Sequence, residues 1–65
     1  MDQIKMGHLI RQMRKKAGLT QMQLAERLCV SDKAVSKWER GQGVPDVSIF
    51  PALAEVFHVK VENLL

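Results

Sequence analysis

Lys33 and Lys37 stand four residues apart, one helical turn, so any helix that contains both carries their amines on one side. Asp32, Ser36 and Arg40 fall on that same side, while Ala34, Val35 and Trp38 fall on the other. Each ammonium offers three donors and no acceptor. A helix fits the major groove of duplex DNA, where long donors reach guanine O6 and N7. The pattern therefore predicts at least one G·C pair in whatever half-site Lys33 and Lys37 read. Ser36 is placed to reach a base or a phosphate. Asp32 has two readings: acceptor for a cytosine amino group, or acidic complement to the helix N-terminus, the second being the commoner role at that position. The bland reading of the whole face is the charged exterior of an ordinary surface helix.

A second set of residues could hold a nucleic-acid backbone without reading sequence. Gln21 and Ser31 sit where two helices should start, and the free backbone N–H groups of a helix start already favour an anion. Arg40 and Gln42 lie at the far end of the helix that carries the lysines. All four have donors suited to phosphate oxygens, contacts that fix register and orientation.

The elements that must position these groups are legible in the apolar spacing. Met6, Leu9, Ile10, Met13 and Ala17 form one stripe on a first helix, opposite Lys5, His8, Arg11, Gln12, Lys15 and Lys16, and Gly18 ends it. Helix two is expected over about 21–28. Thr20 caps it, Gln23 closes a capping box, Leu19 can staple against Leu24, and Leu24, Ala25 and Leu28 are its buried face. Ser31 caps a third helix over about 32–40, and only Cys29-Val30-Ser31 separates the two, a helix-turn-helix spacing. Gly41 and Gly43 close helix three. Ser48 is the expected cap of a fourth helix, because Pro51 is tolerated only in a first turn. Phe50, Leu53, Ala54, Phe57, Val61, Leu64 and Leu65 complete the expected core. The sum is an all-α chain of five helices, the last very short, in a single domain over residues 1–65.

Totals narrow the function classes. Residues 1–43 hold nine Lys/Arg against Asp2, Glu26, Asp32 and Glu39, a net +5, whereas residues 44–65 hold Lys60 against Asp46, Glu55 and Glu62, a net −2. A basic front with a mildly acidic end suits a polyanionic partner. No apolar run approaches the ~20 residues of a membrane span. The N-terminus lacks a signal-peptide layout, and a cytoplasmic location is expected. The single cysteine, Cys29, excludes an internal disulfide framework and reads as a buried, inert thiol. His8 and His58 show no ligand spacing, so no metal is expected. No nucleophile–base set, phosphate loop or carboxylate pair is present, so neither enzyme activity nor a cofactor is expected. Met22 reads as a packing residue, or as a surface methionine near the groove.

The stretch from Leu19-Thr20-Gln21 through Val30-Ser31 to Lys37-Trp38-Glu39-Arg40-Gly41 resembles the lambda-repressor-like helix-turn-helix domains of the Xre and Cro type. Pro51-Ala-Leu-Ala and Val61-Glu-Asn-Leu-Leu65 resemble that family's fourth and fifth helices, so the resemblance covers nearly the whole chain. It implies phosphate and base contacts at Gln21, Ser31, Asp32, Lys33, Lys37 and Arg40. It also implies a small residue, Ala25, at the crossing of helices two and three, with Val35 packing back onto helix two. It pairs Arg14 with Glu39 as a structural ion pair, and Arg14 independently needs a partner at the edge of its apolar stripe. Two departures stand out: Cys29 and His58 occupy positions where the family usually has glycine, and either a side chain there accepts a left-handed backbone at ~1 kcal/mol or more, or the turn adjusts. The implied function is a transcriptional regulator, a repressor that binds a (pseudo)palindromic operator as a homodimer. Apolar residues such as Phe57, Val59 and Leu65 are candidates for the dimer contact, the alternative being that they fill the core. The rival is a protein-interaction module of the same fold, antitoxin-like or adaptor, whose partner is a protein.

Overall fold

In the computed structural model, which describes residues 2–64, Asp2 opens α1 (Gln3–Lys16) by accepting from the amides of Ile4 and Lys5. Thr20 opens α2 (Gln21–Leu28) through a complete capping box: its hydroxyl accepts from Gln23 N while Gln23 Oε1 accepts from Thr20 N. Ser31 opens α3 (Asp32–Glu39), its Oγ accepting from Ala34 N at 3.1 Å. A 3-10 turn (Val47–Ile49) runs directly into α4 (Phe50–Phe57), and a second 3-10 turn (Val61–Asn63) follows. The expected fifth helix is thus a single 3-10 turn, and no strand occurs among the described residues.

The core gathers one face from each helix. Met6 and Ile10 of α1 meet Leu24, Ala25 and Leu28 of α2, Val35 and Trp38 of α3, Phe50, Leu53 and Ala54 of α4, and Leu64 beyond the last turn. Leu9, Met13, Leu19, Val30, Ala34, Phe57 and Val59 pack partly against it. Burial of this kind is the main stabilising term in so small a chain, whose helices are too short to stand alone.

Glycine is indispensable at Gly7. A Cβ there would lie 2.1 Å from the carbonyl oxygen of Trp38, so α1 and α3 cross at backbone contact. The turns at Cys29 and His58 are left-handed, with φ of 57° and 56°, as C-terminal helix caps commonly are. The side chains themselves bear the strain that glycine would avoid.

Four expectations are corrected. Cys29 is exposed, not buried, because the left-handed cap residue projects off the end of α2 into solvent. Ala17 is exposed because it is the C-cap of α1, one step past the stripe. Ser48 does not cap α4; Asp46 accepts from Ser48 N at 3.0 Å and caps the 3-10 turn, since a carboxylate is the stronger acceptor and the turn needs no separate start for α4. Val61 lies on the outer side of the last turn and is exposed rather than core. Leu65 lies outside the described residues.

Candidate nucleic-acid interface

Lys33 and Lys37 are exposed on α3, one turn apart, and among the described residues neither amine is paired with a carboxylate. Asp32 is exposed in the first turn of α3, where the capping hydrogen bond belongs to Ser31. Ser36 is half-buried between the lysines and the core face. Val35 and Trp38, both buried, fasten the opposite side of the helix to the core. Val30 N donates to Ala25 O at 3.0 Å, which closes the turn between α2 and α3. Rigid anchoring of this kind means that Lys33 and Lys37 move only about their own side-chain bonds.

Ser31 keeps its hydroxyl proton free to donate while the oxygen accepts from Ala34 N. Arg40, the C-cap of α3, folds back so that Nε donates to Ser36 O at 3.2 Å, leaving the outer guanidinium nitrogens for another acceptor. Gln42 is exposed, and its backbone N–H donates to Lys37 O at 2.9 Å. The first turns of α2 and α3 present backbone amides at positions 21–22 and 32–33 with no acceptor inside the helix.

Behind this surface lies a charged pair. Arg14 Nε donates to Glu39 Oε2 at 2.6 Å and Arg14 Nη2 to Oε1 at 3.1 Å, a bidentate clamp, while Nη1 donates to Leu19 O at 2.8 Å. The two side chains are only 12% and 4% exposed. Glu39's hydrogen bond raises the Arg14 pKa above its ordinary value, against the opposing effect of burial. No buried side-chain nitrogen or oxygen among the described residues lacks a partner, the condition under which a buried pair is tolerable. The pair ties α1, the loop before α2 and the end of α3 together.

Gln21 is the residue whose placement the sequence did not foreshadow. It does not simply point to solvent: Nε2 donates to Glu39 Oε1 at 3.2 Å, and the side chain is half-buried. Gly7 is a second such residue, for which a glycine beside Met6 in an apolar helix stripe is the one sequence signal of close approach. Met22, 59% exposed, is a surface methionine rather than a packing residue.

A helix-turn-helix family model matches residues 10–64, from inside α1 to the residue after the last turn. The chain belongs to this helix-turn-helix family. Among relatives of the helix-turn-helix chain, the HTH-type transcriptional activator BcrR of Enterococcus faecalis is 43% identical over 56 residues, which cover 86% of this chain and 28% of that protein. The HTH-type transcriptional regulator ImmR of Bacillus subtilis is 32% identical over 60 residues, 92% of this chain and 47% of that one. The chain therefore spans less than half the length of either. The restriction-modification controller protein C.AhdI of Aeromonas hydrophila superposes with a TM-score of 0.87 at 28% identity, covering 98% of this chain and 93% of that one. The P22 c2 repressor, solved in complex with a synthetic operator, superposes at 0.84 with 35% identity, covering 92% and 91%. The helix-turn-helix fold is the lambda-repressor-like one.

Proposed function

We propose that this chain is the DNA-reading domain, over residues 1–65, of a transcriptional regulator, and that α3 enters the major groove. The observation that carries the reading is the pair of exposed lysines on a helix whose other side is locked into the core, with no carboxylate of the described residues neutralising them. Lys33 and Lys37 read bases, with Ser36 between them and Asp32 at the groove edge. Ser31, Gln21, Arg40 and Gln42 hold phosphates. A single α3 covers a short half-site, so two copies bind a (pseudo)palindrome with half-sites about 34 Å apart. Phe57 and Val59, both half-buried near the chain's end, are the described candidates for the contact between copies.

The operator complex of the P22 c2 repressor supports this reading. We read the chain as a repressor that occupies its operator in the cytoplasm, and as a binding domain rather than an enzyme. BcrR bears the name of an activator, so the sign of regulation rests on where the operator lies as much as on this surface. A protein-interaction module would need apolar contact area on α3. The outward residues there are charged or polar, and the large side chains Val35 and Trp38 are buried.

Selection of bound duplexes from a random pool tests the proposal directly. An enriched inverted repeat containing G·C at matching positions is expected. Lys37→Ala should then relax the preference at one position, and Gln21→Ala should weaken all sequences alike. A pool that yields no enriched site rejects sequence-specific recognition.

A further inference from the structure

The geometry points to Glu39 as a positioning residue for the nucleic-acid backbone, acting through Gln21. This rests on the DNA-binding reading above and adds to it a residue buried behind the surface. Glu39 Oε1 accepts from both Arg14 Nη2 and Gln21 Nε2, at 3.1 and 3.2 Å. An ionised carboxylate only accepts, so it dictates which end of the Gln21 amide turns inward. The nitrogen faces Glu39, and one of its two N–H groups is committed there.

The second N–H remains on a side chain held at the first residue of α2, beside backbone amides that lack an acceptor within the helix. A phosphate oxygen seated at that turn accepts from this N–H and from the adjacent main chain together. Glu39 thereby removes the rotamer freedom of Gln21 on folding, so that the loss does not fall on binding. Arg14 fixes Glu39 in turn, with Leu19 O as the last anchor. A network that never touches DNA decides how α2 grips it.

The test is a double-mutant cycle on binding of a short mixed-sequence duplex, followed by fluorescence anisotropy at low salt. Gln21→Met keeps the length and removes the amide; it should weaken binding about fivefold, the worth of about 1 kcal/mol for one hydrogen bond. Glu39→Gln gives position 39 a donor of its own and lets the Gln21 amide turn over. It should weaken binding about threefold in the natural background and not at all beside Gln21→Met, an interaction that only a cycle can isolate. Equal losses in both backgrounds overturn the proposal while leaving DNA binding intact. Absence of salt-dependent binding by the natural chain overturns the DNA reading itself, and the proposal with it.

Glu39→Gln also disturbs Arg14 and can unfold the chain, so a second measurement uses the natural sequence. In a nitrogen-15 spectrum the two amide protons of Gln21 should be distinct. Adding duplex should shift one and leave the other, bonded to Glu39, in place. Joint movement, or none, overturns the proposal.

Discussion

Glu39 is the most deeply buried charged residue among those described, and three hydrogen bonds from Arg14 and Gln21 converge on it. Glu39→Ala would strand the Arg14 guanidinium with Leu19 O alone, at a cost of about 3–5 kcal/mol. Replacing both partners with apolar residues, Arg14→Met with Glu39→Leu, should recover most of that loss, because no charge is left to desolvate. Urea unfolding of the single and double variants checks both. A second residue-scale expectation concerns Cys29. It bears a left-handed backbone that glycine adopts without steric penalty, so Cys29→Gly should raise stability by ~1 kcal/mol and the melting temperature with it. Because the thiol is exposed, the folded chain should react with a maleimide without first unfolding. The left-handed strain was legible from the sequence, as a departure from the glycine pattern of the resembled family. The exposure was not, since it depends on which way the end of α2 faces.

At the scale of elements, side-chain chemistry that acts within a few residues was readable, and chemistry that needs two distant elements was not. Thr20 with Gln23, and Ser31 at the head of α3, are local arrangements that spacing alone specifies. The Leu24-Ala25-Leu28 face follows from helical period in the same way. Gly7 is the opposite case: its need appears only once the Trp38 carbonyl arrives from 31 residues away. Gln21 bending toward Glu39 is likewise a consequence of α3 docking against the start of α2. The choice of Asp46 over Ser48 turned on a finer competition, between two acceptors in one short loop. Gly7→Ala should therefore be costly although alanine is the better helix former. Its methyl would force α1 and α3 apart, for an expected loss of about 1–3 kcal/mol by thermal unfolding, with Trp38 fluorescence as a reporter at the contact itself.

Caps also give the elements a pH dependence. Hydrogen bonds hold both capping carboxylates below their usual 3.8: the backbone amides of Lys5 and Ile4 for Asp2, and the hydroxyl and amide of Ser48 for Asp46. A carboxylate whose pKa is lower in the folded chain binds fewer protons there than when unfolded. Its contribution is therefore present above pH 3.8 and is lost as the pH falls through the lowered value. Asp46→Asn keeps a capping oxygen and removes the charge. The gap in melting temperature between the natural chain and this variant should be open near neutral pH and close on acidification below pH 3.8. A gap that persists at low pH would mean that shape, not charge, accounts for the preference for aspartate.

For the whole molecule, the distribution of charge matters more than its total. The net +3 would be ordinary for a soluble domain, but residues 1–43 carry +5 and bring Lys33, Lys37 and Arg40 onto or beside one anchored helix. Each cation that meets a phosphate releases condensed counterions, so affinity must fall with salt in proportion to the number of such contacts. A dimer with about 6–10 of them would lose about 10³–10⁵ in affinity between 50 and 200 mM salt. Arg40 and Lys60 are both exposed cations, yet they belong to opposite ends of this asymmetry. If Arg40 holds a phosphate at the end of α3 as proposed, Arg40→Gln should lower the slope of log affinity against log salt by about one per copy. Lys60→Gln removes the same charge from the acidic end and should leave the slope unchanged. Equal decreases would mean that the molecule meets DNA through its overall field, and α3 would lose its claim to be the surface that docks.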